Sequence, residues 1–372
     1  MKVVFIIIIS GLVVGICVWA FLYLYPSVQI KLSFKKEITE IEYGVEFDPK
    51  ALQLDAESLG LDSTYDLSYK YDIKKIGTSV CEITVTKGNG KRVYTHKIKV
   101  VDKTPPVFTV YYNYVTINDI KNIEQHYKNN VKGEIIDNYD GVIPIDNMEF
   151  VGEIKDKPDI YEIKYVVKDS SGNQAEATVY YLYKLTPESM KAPFYFEYNG
   201  EKHILANKWV PLPKDYNPGA NKTARKKLNE MLAAMKKAGV GVSIRSGFRS
   251  YSTQARMWQR DVARYGETET AKVLARPGYS EHQTGFTYDI GFISTNFAKT
   301  KAYTWLQQHA HEYGFIMRYP KPAAAITGYS YEPWHYRYLG VNLATAIYNE
   351  RHKEGGNPDL TLEEFIGYTH LK

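Results

Sequence analysis

At Leu185 the spacing of apolar residues in this chain changes, and the change dictates two kinds of architecture in one polypeptide. From about Val28 to Lys184 the runs are short and alternating. Val80, Glu82, Thr84 and Thr86 interleave with Cys81, Ile83 and Val85, a period of two that sends successive side chains to opposite faces of a strand. Gly88-Asn89-Gly90 then signals a hairpin before the run from Lys91 to Val101. Asp102-Lys103-Thr104-Pro105-Pro106 closes this unit. A second unit echoes it: Val142-Ile143-Pro144-Ile145, Tyr161 to Val167, the turn Asp169-Ser170-Ser171-Gly172-Asn173, and Ala175 to Tyr183.

Past Leu185 the period becomes helical. Ala224, Leu228, Met231, Leu232 and Met235 fall three and four apart, and Gly239 closes the run as a C-cap. Val240, Val242 and Ile244 alternate as a strand, followed by helices from about Ser252 to Tyr265 and Thr268 to Ala275. A helix around Ala302 to Tyr313, a strand from Phe315 to Tyr319, a helix from Leu343 to His352 and a capping box at Thr361-Leu362-Glu363-Glu364 complete the pattern. Helices mixed with short strands predict an α+β domain with a small antiparallel sheet, preceded by two all-β domains.

The run from Val3 to Tyr25 carries no charge and is long enough for a membrane-spanning helix, which needs about 20 apolar residues. Trp19, Phe21, Tyr23 and Tyr25 suit an interfacial belt, and no A-x-A cleavage site follows, so a signal anchor is expected rather than a cleaved leader. The expected segments are therefore 1–27 (transmembrane anchor), 28–104 and 105–186 (β domains) and 187–372 (α+β domain). A net charge of +5 suits an anionic cell envelope and is far below a nucleic-acid-binding footprint. Cys17 and Cys81 lie in different segments and are not expected to pair. Cys81 reads as a small buried residue.

The chemistry concentrates in Ser280-Glu281-His282-Gln283-Thr284-Gly285-Phe286-Thr287-Tyr288-Asp289 and in Glu332-Pro333-Trp334-His335. Two imidazoles, one carboxylate for a metal and a second left free make the inventory of a catalytic zinc site: three N or O ligands, an open position for water, and a base. The alternation after Gly285 puts Asp289 on the polar face of a strand, where a buried carboxylate needs a partner, and His282 on a loop or strand end. Pro333 can bend the chain so that Glu332 and His335 approach one point. Taken singly, the first pair also fits a surface loop and the second an aromatic edge strand.

Ser280-x-His282-x-x-Gly285-x-x-x-Asp289 followed by Glu332-x-Trp334-His335 closely resembles the LAS metallopeptidases, in their VanY-like carboxypeptidase branch. Ser246-Gly247-Phe248-Arg249-Ser250, Ala275-Arg276-Pro277-Gly278, Arg318-Tyr319-Pro320 and His335-Tyr336-Arg337-Tyr338 agree with it. The resemblance covers roughly residues 190–350. It implies Zn2+ held by His282, Asp289 and His335, Glu332 as the catalytic base, and Arg249 binding substrate and stabilising the developing oxyanion. It also implies Gln254 and Ser280 as substrate contacts. Thr287 stands where the family usually has alanine, and Pro322-Ala323-Ala324-Ala325 replaces a more polar loop.

The implied protein is a membrane-anchored zinc D,D-carboxypeptidase outside the cell, removing the terminal D-alanine of peptidoglycan stem peptides. The alternatives are an L,D-carboxypeptidase or peptidoglycan endopeptidase of the same family, or a non-catalytic wall-binding surface protein. The Asp-Lys-Thr-Pro-Pro boundary and the Lys-Asp-Ser-Ser-Gly-Asn turn resemble bacterial immunoglobulin-like repeats, implying two small sandwiches. With no clustered aromatic or metal motif evident in them, they read as a spacer more readily than as a carbohydrate- or protein-binding module.

Overall fold

The computed structural model of the chain describes residues 32–54, 65–321 and 323–371. The run Val3–Tyr25 lies outside the described residues. Within them, no helix is long and apolar enough to cross a membrane. The chain divides into two compact units. One comprises the residues up to Phe108 with Gly133–Met148 and Val167–Ala175, and the other Thr109–Lys132, Glu149–Val166 and Glu176 onward.

In the first unit, β1 (Ile38–Glu42), β2 (Asp66–Lys70), β3 (Gly77–Lys87) and β4 (Gly90–Val101) form a sheet ordered β1-β4-β3-β2. Strands β3 and β4 pair antiparallel down to Lys87 opposite Gly90, so Gly88-Asn89 is the two-residue turn the sequence signalled. The period-two reading holds: Cys81, Ile83 and Val85 are fully buried on one face with Leu52 and Ile98. Further along come β5 (Val107–Val110), β6 (Tyr114–Ile117), β7 (Val131–Asp137) and β8 (Gly141–Ile143). In the first unit, Ile135 of β7 faces Ile143 of β8 in antiparallel register.

In the second unit, β6, β9 (Glu149–Val151), β10 (Asp159–Lys168) and β11 (Gln174–Tyr183) belong to a five-stranded sheet ordered β18-β6-β11-β10-β9. Its first strand, β18 (Tyr368–His370), comes from the far end of the chain and runs parallel to β6. The strands and turns therefore lie where the alternation put them, but the two immunoglobulin-like sandwiches expected there are not shown among the described residues. Among the described residues the first β region holds a single four-stranded sheet. The second carries a helix, Ile123–Asn129, between β6 and β7 and recruits β18.

This recruitment bears on the expected boundary at 186/187. Tyr368 is buried, its hydroxyl is 2.9 Å from Thr116 Oγ1, and Leu182 shares a core with Phe194, Phe196, Leu343 and Tyr368. Burying one large side chain is worth about 1.5–3 kcal/mol, and β18 also forms a ladder with β6. A fragment starting at Pro187 is thus expected to melt below one starting at Thr109, read by thermal unfolding. Equal midpoints would show that β18 needs no partner strand.

The remaining strands are β12 (Tyr195–Tyr198) and β13 (Glu201–Ile204), a hairpin, and β14 (Ile244–Ser246), β15 (Thr287–Ile290), β16 (Phe315–Met317) and β17 (His335–Tyr338), an antiparallel sheet ordered β14-β15-β17-β16. The helix Lys222–Lys237 starts at the Asn221 cap and lays Ala224, Leu228, Met231 and Met235 on a core with Tyr288, Ile290, Phe315 and Tyr336 from this sheet. The helices Tyr251–Tyr265, Glu267–Val273, Lys301–His309 and Val341–His352 stand close to the expected spans, and the capping box at Thr361 and Glu364 forms. The part from 187 onward is α+β, as the sequence predicts.

Candidate metal centre

Strands β15 and β17 are antiparallel neighbours with Asp289 directly opposite His335. Opposed residues project to one face of a sheet, their Cβ atoms about 4.5–5.5 Å apart. Tyr288 and Ile290 point the other way, into the core under the helix Lys222–Lys237. His282 arrives on a 3-10 turn, Glu281–Thr284, that ends at Gly285 with φ +80°. A side chain at Gly285 would meet both the left-handed backbone and the carbonyl of Gly219, so this turn requires glycine. Around Pro333, His335 N donates to Glu332 O at 3.1 Å, the bend that returns the Glu332 side chain to His335.

The result is a tight constellation. His282 Nε2 lies 3.3 Å from Asp289 Oδ2, His335 Nδ1 lies 3.4 Å from Asp289 Oδ1, and His335 Nδ1 lies 3.1 Å from Glu332 Oε2. One ligand atom from each of His282, Asp289 and His335 lies within 4.8 Å of the others, and all three residues are buried. The remaining ring nitrogens are engaged elsewhere: His282 Nδ1 is 2.7 Å from Gly247 O, and His335 Nε2 is 3.3 Å from Glu281 Oε2. In the tautomers that donate there, His282 Nε2 and His335 Nδ1 keep their lone pairs for a metal. Among the described residues Asp289 Oδ1 is buried and accepts no hydrogen bond, with His335 Nδ1 beside it at 3.4 Å. Two imidazole nitrogens and a carboxylate oxygen with an orphaned acceptor between them fit zinc with one position open.

The electrostatics call for positive charge at the same point. Burial alone would raise the Asp289 carboxyl, but the His282 and His335 imidazoles outweigh it and hold the group well below the usual carboxylate range. Burial lowers His282. Burial would lower His335 too, yet the Asp289, Glu281 and Glu332 carboxylates around it raise it well above the usual histidine value. Three carboxylates round one ring favour a cation there, which a proton supplies in the metal-free fold and a metal ion would supply when bound.

Glu281 is the participant that sequence reasoning missed. It is fully buried, accepting from Arg318 Nε at 2.8 Å and Arg337 Nη1 at 2.9 Å, while Arg318 forks onto Glu363 at 2.7 and 2.6 Å. Burial would raise its carboxyl, but the two guanidiniums keep it well below the usual range, so it stays an anionic acceptor for His335. Thr287, a departure from the family pattern, directs its hydroxyl to Glu281 Oε2 at 3.5 Å. Glu281→Gln is expected to weaken zinc binding by about 10–100-fold, the usual effect of losing a partner that orients a metal-ligating histidine. Competition against a chromophoric chelator measures this, and an unchanged affinity would remove Glu281 from the metal site.

A cavity of about 180 Å³ opens over these residues, lined by Arg249, Met257, Val273, Leu274, Ala275, Ser280, His282, Asp289, Ile293, Tyr319, Tyr329, Glu332, Trp334 and His335 among others. Arg249 follows β14 in a loop tied to the 3-10 turn by Arg249 N donating to His282 O at 3.2 Å. Among the described residues its Nε is buried without a hydrogen-bond partner, and Nη1 donates to Met257 Sδ at 3.7 Å. Burial lowers its pKa, with Asp289 and Glu332 opposing. Ser280 lines the cavity and is buried. Gln254 does not line it: fully buried, it donates Nε2 to Ala275 O at 2.7 Å and so holds the wall from behind. The cavity wall comes from Val273 to Ala275, Met257, Tyr319 and Tyr329, and Tyr279, Thr287 and Tyr288 do not line it.

Residues 218–341, the span holding His282, Asp289, Glu332 and His335, match the family model described as VanY: D-alanyl-D-alanine carboxypeptidase. The chain belongs to the VanY family. A Bacillus subtilis relative, YodJ, is 37% identical over 187 residues, covering 44% of this chain and 66% of its own. The D-alanyl-D-alanine carboxypeptidase of Enterococcus faecalis is 32% identical over 181 residues, covering 44% of this chain and 65% of its own. The VanY-family chain thus spans just under two thirds of either relative's length. The solved structure described as the LdcB LD-carboxypeptidase is 40% identical, with 48% of this chain and 92% of that chain covered and a TM-score of 0.43.

Proposed function

We propose that this VanY-family protein is a zinc D,D-carboxypeptidase that removes the terminal D-alanine from peptidoglycan stem peptides, held at the outer face of the cell membrane by the uncharged run Val3–Tyr25. The observation that carries the reading is the convergence of His282, Asp289 and His335 on one buried point, with Asp289 Oδ1 unpartnered and Glu332 and Arg249 on the same cavity. The Enterococcus faecalis relative, named as a D-alanyl-D-alanine carboxypeptidase, supports the substrate class.

His282, Asp289 and His335 would hold the zinc, which when bound supplies a Lewis acid for the scissile carbonyl and lowers the pKa of a water at the open position. Glu332, its side chain 16% exposed and beside His335, takes the proton from the attacking water and passes it to the leaving amine. Arg249 cannot lose its charge under working conditions. Its free donors fork toward the substrate carboxylate or the developing oxyanion. Tyr319, Tyr329 and Trp334 narrow the cavity and exclude bulk water.

Stem length is tested by comparing kcat/KM for a pentapeptide and a tetrapeptide stem in one preparation. The D,D reading expects the pentapeptide to win. Tetrapeptide preference would make the protein an L,D-carboxypeptidase with the same ligands and base.

A further inference from the structure

Asp102, Asp137 and Asp169 stand far apart in sequence, at the end of β4, the end of β7 and the turn between β10 and β11. All three are buried, and one oxygen from each lies within 4.8 Å of one from each of the others. They belong to the same compact unit, the one that excludes the zinc-type ligands. Among the described residues no lysine, arginine or histidine forms an ion pair with any of them. Their donors are neutral. Asp102 Oδ1 accepts from Thr104 N at 3.2 Å, and Asp169 accepts from Asn173 N and Nδ2, both at 2.8 Å. Asp137 turns Oδ1 to the amides of Tyr139 and Asp140, each at 2.8 Å, while its Oδ2 is buried and has no hydrogen-bond partner among the described residues.

Three carboxylates gathered out of water without a countercharge repel one another, and each retains a desolvation cost that neutral amides do not offset. A cation between them removes both terms. The donors are all hard oxygens with neither His nor Cys, which selects against zinc and for calcium or magnesium. The local turns are set by backbone donors rather than by a rigid octahedral cage, which suits the larger, more tolerant ion. We propose that Asp102, Asp137 and Asp169 form a calcium site that ties the end of β4 to the end of β7 and to the β10–β11 turn, stiffening the β region that precedes the catalytic part. The Asp102-Lys103-Thr104-Pro105-Pro106 boundary and the Asp169-Ser170-Ser171-Gly172-Asn173 turn then have a shared task, which a passive spacer would not demand.

The test uses the full chain in detergent with saturating zinc, so that the peptidase centre is filled and cannot count. Calcium is titrated by equilibrium dialysis and calorimetry, with magnesium as the second probe. One calcium per chain is expected, with a dissociation constant of about 10⁻⁴–10⁻³ M, as in extracellular modules, and magnesium binding at least about tenfold weaker. Asp137→Asn and Asp169→Asn should each weaken calcium by about tenfold or more. Folding is checked by the sign of the melting shift. Without calcium, Asp137→Asn should melt no lower than the parent, because one of three like charges is gone. With calcium, the parent should gain stability that the variant does not. Three results would overturn the site: no binding up to about 10 mM calcium, parent-like binding in the Asp137→Asn/Asp169→Asn double variant, or a calcium-free variant melting well below the parent. Equal affinity for magnesium would overturn the calcium assignment.

Discussion

Glu332→Gln is expected to keep its zinc and lose about 10²–10⁴-fold in kcat/KM, the usual worth of a general base. Glutamine preserves the shape of the side chain and can still meet His335 Nδ1, so the ligands His282, Asp289 and His335 remain in place. What it cannot do is accept a proton from water. Metal analysis and kinetics on one sample separate the two roles. If the variant loses its metal along with its activity, Glu332 is a ligand and the base lies elsewhere.

His335→Ala has the larger effect, because it removes a ligand and leaves Asp289, Glu281 and Glu332 facing one another without the imidazole between them. Metal content is expected to fall from about one zinc per chain to near zero, and activity by more than about 10³-fold, since Lewis-acid assistance is worth several kcal/mol. A variant retaining one tightly held zinc would contradict the ligand set. The same histidine sets a pH dependence. Its pKa in the metal-free fold is raised, so the stability its proton contributes is fully present below the ordinary value of about 6.5 and is lost as pH rises through the folded value. Zinc replaces that proton, so the gap in melting temperature between zinc-loaded and zinc-free protein should widen as pH increases. A gap that narrows with pH would mean His335 is neutral in the metal-free state.

The residues of the candidate metal cluster were legible because their chemistry is local. His282 and Asp289 flank one glycine turn, and Glu332 and His335 flank one proline. The helix Lys222–Lys237 was legible because its buried residues keep a strict helical spacing. What escaped depends on contacts distant in sequence. Glu281 sits inside the motif, but its role is defined by Arg318 and Arg337, 37 and 56 positions away, and by the complete burial of all three. The family resemblance implied Gln254 as a substrate contact, whereas packing of the helix Tyr251–Tyr265 directs it to Ala275 behind the cavity wall. The sandwich expectation assumed that each β region closes on itself. Alternation reports which face of a strand is buried, not which strand lies beside it, so the pairing of β18 with β6 carried no local signal. Asp102 and Asp169 stood in the boundary and the turn that the sequence marked, Asp137 carried no such mark, and only the fold brings the three together.

The most direct test incubates the purified protein with a defined pentapeptide muropeptide and follows the products by mass spectrometry, before chelation, after it, and after zinc is restored. The account predicts loss of a single terminal D-alanine, abolished by chelation and recovered with about one zinc per chain. Undiminished cleavage after complete removal of the metal, or an intact muropeptide with the zinc-loaded protein, would contradict it.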